Sequence, residues 1–151
     1  MDYQCEIKDQ PSQPTLSIRT RAPVQDLPVV FGKAFGSIGQ YLAELGETPT
    51  GMPFAAYYNM DMQDLDLEIG FPVKKKLPGK GEIQSSEIPA RKYASALYVG
   101  PYDKCQAAYD ALLAYAKEKG LEYAGMAYEF YHDGPEVPPE KTRTTIVFPL
   151  K

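Results

Sequence analysis

Two short stretches, "LAELG" at residues 42–46 and "AKEKG" at residues 116–120, decide how this chain is read. Each closes a one-faced helical pattern at a glycine, the residue that most readily takes the left-handed backbone of a helix end. Ahead of the first, Val30, Ala34, Ile38, Tyr41, Leu42 and Leu45 recur at three- and four-residue spacing, which predicts a helix from about Leu27 to Leu45. Ahead of the second, Cys105, Ala108, Leu112, Tyr115 and Ala116 form the inner face of a helix from about Asp103 to Lys119. The two glycines lie 74 residues apart. "YYNMD" from Tyr57 and "FYHD" from Phe130 repeat at 73, and "FPV" from Phe71 and "FPL" from Phe148 at 77. A duplication with small loop insertions gives such a nearly constant offset.

Alternating segments fill the space around both helices. Residues 3–9, 14–21, 53–61 and 64–73 read as strands of the first half, and 82–87, 91–99, 122–132 and 142–150 as strands of the second. In "DLDLEIGFPV", Leu65, Leu67, Ile69 and Phe71 alternate with Asp66, Glu68 and Gly70. The expected fold class is α+β: a pseudo-two-fold duplicated ββαββ, an antiparallel sheet with two helices around a central ligand groove. The halves are 1–74 and 82–151 of a single 1–151 domain. The Lys-, Gly- and Pro-containing segment 75–81 is a flexible linker with solvated lysines. Neither half has enough apolar surface to stand alone, so the two share a core and a cleft.

Composition narrows the function classes. A hydrophobic content of 44% and a charged content of 24% belong to an ordinary globular chain. A net charge of −4 and pI near 5.0 argue against direct nucleic-acid binding and mildly favour cationic partners. No signal peptide opens the chain, and no apolar run approaches the roughly 18 residues of a membrane span. Cys5 and Cys105 with the lone His132 make no metal-ligand set, so neither metal nor other cofactor is expected, and a cytoplasmic location with reduced thiols is. Twelve tyrosines and no tryptophan supply rings with polar tips, suited either to paving a sheet or to lining a pocket.

One residue breaks the pattern. In "MAYEFYHD" (126–133) Glu129 sits among strand-forming aromatics. A buried carboxylate costs several kcal/mol unless it is paired or protonated. Either it pairs with a structural arginine, Arg91 or Arg143, or lies at an exposed edge, or it faces a ligand.

The strings "PARKYASALYVGPYDKCQAAYDALLAYAKEKGL" (89–121) and "YEFYHDGPEVPPEKTRTTIVFPL" (128–150) resemble the GyrI-like small-molecule-binding domain. That domain is the effector-binding module of multidrug-responsive activators of the AraC and MerR types, and also occurs alone. The resemblance covers essentially the whole chain and implies the same two-half fold. It also implies that the acid of the "YE-x-Y" strand, here Glu129, lies at the bottom of the groove against cationic or polar ligand groups. Tyr131 shares its face. At an offset of 73, Ala56 matches Glu129 and Tyr58 matches Tyr131, so the acid is not duplicated. Relatives often end in a pattern like "TEIYIP", whereas Thr145 and Val147 replace the acid and the aromatic here. At an offset of 77, Thr145 matches Glu68, which faces either the cleft or solvent. The resulting ligand-binding set is Glu129, Tyr131, Tyr58, Tyr98, Glu68 and Val147.

The first reading of function is a stand-alone binding protein for bulky aromatic or cationic small molecules, acting by sequestration or ligand sensing. All 151 residues are taken up by the two halves, so control of transcription would need a separate regulatory partner. The second is a hydrolase of reactive cyclopropane-containing genotoxic natural products, with Glu129 as base. The third is a gyrase-inhibitor-like protein-interaction role.

Overall fold

The computed structural model describes residues 4–59, 61–101, 106–133 and 136–151. The start expected for the second helix and Cys105 lie outside these residues. The fold is α+β, with two α-helices and, among the described residues, eight strands that pair antiparallel. In chain order they are β1 (Cys5–Gln10), β2 (Gln13–Ala22), α1 (Leu27–Leu45), β3 (Phe54–Tyr57), β4 (Leu65–Pro72), β5 (Gln84–Ile88), β6 (Arg91–Val99), α2 (Gln106–Glu118), β7 (Ala127–Tyr131) and β8 (Arg143–Pro149). They divide into two compact units, Pro11–Ala90 and a second made of the residues up to Gln10 with Arg91–Lys151.

In the Pro11–Ala90 unit the strand order is β3-β4-β2-β5. α1 covers one face, burying Ala34, Ile38, Tyr41 and Leu42, and ends at Gly46 with φ 69°. Leu16, Val73, Leu77 and Ile83 complete this core, with Ile18, Leu45 and Phe71 packed at its margin. Each such large apolar side chain contributes about 1.5–3 kcal/mol on burial. β2 and β4 approach so closely that a Cβ on Gly70 would lie 2.3 Å from the Leu16 carbonyl oxygen. The 75–81 segment, read as a flexible linker, is pinned at Leu77, and the Tyr41 hydroxyl donates to the Pro78 carbonyl at 2.7 Å. Its lysines are exposed, as expected, and Leu77 alone in the segment is buried.

In the other unit the order is β1-β6-β8-β7. α2 lies on one face, where Ala108, Tyr109, Leu112 and Ala116 pack against Ala94, Ala96, Tyr98, Ala127, Ile146 and Phe148. The opposite face carries Tyr93, Ser95, Leu97, Tyr128, Phe130, Thr145 and Val147, as the two-residue period requires.

The pairing departs from two chain-continuous halves in one respect. β1 pairs with β6 and β5 with β2, so each repeat gives its first strand to the other unit. The reason lies in the links. Two residues separate β1 from β2 (Pro11, Ser12) and β5 from β6 (Pro89, Ala90). A two-residue hairpin needs positive φ, hence Gly or Asn, whereas proline holds φ near −65°. Neither link can reverse tightly, so the chain runs on.

Candidate functional site

β7 carries the carboxylate that the sequence singled out. Ala127, Glu129 and Tyr131 share the face turned to α2, where Glu129 stands opposite Ile146 of β8. Glu129 is 8% exposed. Its Oε1 accepts a hydrogen bond from the Tyr131 hydroxyl at 2.9 Å, and its Oε2 accepts one from the Tyr109 hydroxyl of α2. Desolvation raises its pKa above the usual carboxylate range, and the two tyrosine hydrogen bonds only partly oppose this. Neither arginine considered as a partner is engaged with it. Arg91 donates to the Leu150 carbonyl at 2.8 and 3.1 Å, and Arg143 forms a pair with Asp133 at 2.8 Å. That guanidinium, with the Arg143 backbone N–H, holds Asp133 down to about 2.

Tyr98 shares the same face. It stands in one cross-strand row with Thr144 and Tyr131, and its hydroxyl donates to the Pro101 carbonyl at 2.5 Å. Val147 points to the opposite face, beside Ser95 and Tyr128. So does His132; its Nε2 lies 2.6 Å from the Thr145 hydroxyl. Burial, helped by Arg143, lowers the His132 pKa, with Asp133 partly opposing. A cleft of about 330 Å³ opens on that face, lined by Glu6, Ser95, Leu97, His132 and Thr145 among others.

Glu68 and Tyr58 belong to the Pro11–Ala90 unit and touch each other. Glu68 accepts from Ser17 and from Tyr58, each at 2.5 Å, on the face away from α1. It is half-buried, and Arg19 stacks 3.7 Å from the centroid of the Tyr58 ring while forming a two-point pair with Asp66 at 2.7 and 2.8 Å. The register corrects the matching of the repeats. Ala56 lies opposite Glu68 and faces away from α1, whereas Glu129 faces α2. The residue that matches Glu129 is therefore Ala55, and Tyr57, not Tyr58, matches Tyr131. A slip of one residue moves a side chain to the other face. The offset is then 74, the same as that of the helix-ending glycines.

Tyr109 was missed, although the signal was present. It falls three residues before Leu112 and seven before Ala116, on the inner stripe of α2. Tyr115, assigned to that stripe, is only half-buried and lies beneath Lys119. Among the described residues no cluster of His, Cys, Asp and Glu could hold a metal ion, and no helix is long and apolar enough to cross a membrane.

The GyrI-like small molecule binding domain matches residues 3–151. The chain belongs to this family. No curated protein matches it at a significant level. The crystal structure of the EcmrR C-terminal domain superposes with a TM-score of 0.88 at 25% identity, covering 100% of this chain and 99% of that one. EcmrR in a cryo-EM complex with DNA gives a TM-score of 0.84 at 25% identity over 99% of this chain. This chain spans 57% of the length of that EcmrR chain. A hydrolase from Listeria innocua (TM-score 0.73, 13% identity, 98% and 92% covered) is similar in fold. So is SAV2435, solved with tetraphenylphosphonium (0.67, 15%, 100% and 94%). This GyrI-like chain thus has the fold of a small-molecule-binding domain.

Proposed function

We propose that this GyrI-like protein binds bulky aromatic cations, with Glu129 as the charged anchor, and acts by sequestration or ligand sensing. The observation that carries this reading is a carboxylate buried between α2 and the sheet whose two oxygens, among the described residues, hold only tyrosine hydroxyls. Hydroxyl donors orient the carboxylate without neutralising it. An ionised group at this depth gains most from a cation, so the site favours ligands that bring one. Tyr109 and Tyr131 offer rings for stacking or cation–π contact. Glu129 is almost wholly covered, so a ligand reaches it only when a covering side chain moves. The binding of tetraphenylphosphonium by SAV2435 supports the choice of lipophilic cations as first probes.

The test is a fluorescence titration of wild type and Glu129→Gln with a panel of lipophilic aromatic cations. Loss of a buried charge pair is expected to weaken binding by about 2–3 kcal/mol, or roughly a hundredfold. Equal affinities in the two proteins would sink the reading. The raised pKa of Glu129 also suits a base that activates water. Conversion of a cyclopropane electrophile to a hydrated product, abolished by the same substitution, would move the assignment to a hydrolase.

A further inference from the structure

The face of the sheet beneath α2 holds a polar group that the carboxylate does not explain. In the row Tyr98–Thr144–Tyr131, both tyrosine hydroxyls are committed, one to the Pro101 carbonyl and the other to Glu129. The Thr144 hydroxyl is buried, with its residue 2% exposed, and has no hydrogen-bond partner among the described residues. The nearest threonines, one just ahead of β8 and one on it, are served. Thr142 donates to the Pro138 carbonyl at 3.2 Å, and Thr145 meets His132 at 2.6 Å. The Thr15 hydroxyl is also buried without a partner, but it belongs to the Pro11–Ala90 unit; among the described residues of this unit the orphan is the threonine that stands opposite Tyr131. Buried hydroxyls are nearly always satisfied, because one left alone keeps its full desolvation cost.

Thr144 and Glu129 are diagonal neighbours across the β7–β8 pair and share the α2 face. Such positions are about 7–8 Å apart at the backbone, near enough for one small group to touch both side chains. Each Glu129 oxygen takes one tyrosine O–H and keeps a second lone pair. We propose that the cation received here is a protonated primary or secondary amine, with one N–H donated to Glu129 and a second to the Thr144 hydroxyl. This inference rests on Glu129 being the ligand anchor. A quaternary ammonium or phosphonium ion brings the same charge but no N–H, and would leave the threonine unpaired. A site with a buried polar group discriminates against the analogue that cannot bond to it.

The experiment compares 2-(1-naphthyl)ethylamine with its N,N,N-trimethyl derivative, by calorimetric titration at neutral pH. The proteins are wild type, Thr144→Val, Thr144→Ser and Glu129→Gln. Wild type should bind the primary amine about tenfold more tightly than the trimethyl ion. Thr144→Val should bind both alike, and Thr144→Ser, which restores the hydroxyl, should regain the preference. Circular dichroism melts confirm that each variant is folded. If wild type binds both ions equally, or Thr144→Val keeps the preference, while Glu129→Gln abolishes binding, the amine assignment is overturned and the anchor stands. If Glu129→Gln binds both as wild type does, or wild type binds neither, the anchor fails and the amine assignment with it.

Discussion

Glu129 and Glu68 make the same local arrangement in different surroundings. Each carboxylate accepts two side-chain hydroxyls, from Tyr109 and Tyr131 in one unit and from Ser17 and Tyr58 in the other. Around Glu68 a guanidinium is already at hand, since Arg19 lies over the ring of Tyr58, and the group is half-buried. Around Glu129 the neighbours are rings, aliphatic chains and the uncharged Thr144, and the group is 8% exposed. Two hydroxyl donors do not define a cation site by themselves. What distinguishes Glu129 is that burial has raised the cost of its charge while no arginine among those the sequence suggested has met it.

The comparison breaks most sharply at the carboxylates themselves. Glu129→Gln should lower affinity for aromatic cations roughly a hundredfold, whereas Glu68→Gln should shift it less than threefold. Equal losses, measured by parallel titrations, would place both acids in one binding event.

A second difference is in protons. The raised pKa of Glu129 means that its neutral form is favoured in the folded state, against an ordinary value of 4.5. Its contribution to stability is fully present below pH 4.5 and is lost as pH rises through the folded-state pKa. Glu129→Gln should therefore stabilise the protein at neutral pH and flatten its stability between neutral and pH 4.5, as seen in denaturant unfolding across pH. By the same linkage, cation binding draws the carboxylate into its charged form and releases protons. Affinity should rise with pH, and the heat of binding should vary with the ionisation enthalpy of the buffer. Identical heats in phosphate and Tris at a pH near the Glu129 midpoint would contradict this.

Smaller effects follow from the donors. Tyr109→Phe removes one of two hydrogen bonds from a buried acceptor and should cost about 1–2 kcal/mol in stability at neutral pH. It should also raise the Glu129 pKa further, visible as an upward shift in the pH dependence of unfolding. Arg19→Ala breaks a largely exposed pair with Asp66 and should cost under about 1 kcal/mol. A larger loss would show that Arg19 supports the Glu68 cluster through more than that pair.

Much of this was legible in the sequence. The helix from Leu27 to Leu45 and its glycine stop follow from spacing alone, because a helix packed on one sheet must keep one apolar stripe. Glu129 was identifiable because a carboxylate among strand-forming aromatics has few inexpensive explanations. The faces were harder. An offset of 73 in place of 74 assigned Ala56 and Tyr58 where Ala55 and Tyr57 belong, since period-two patterns carry no tolerance for a single-residue slip. Tyr109 was hidden for a different reason. Alanine and tyrosine both fit an inner helical stripe, and only the facing strand reveals that a hydroxyl there meets an acid. The exchange of β1 and β5 was written in Pro11 and Pro89, but as a prohibition on tight turns, which does not say where the strand goes instead.

That exchange sets a timetable for synthesis. β1 is translated well before the strand that pairs with it, since Gln10 must wait for Arg91. At typical elongation rates of roughly 5–20 residues per second, the wait is on the order of 4–16 s. During it a nascent strand with open backbone groups is exposed to other chains. Glu6, Lys8 and Asp9 put charge along β1, and charged side chains on an unpaired strand oppose its pairing with other chains.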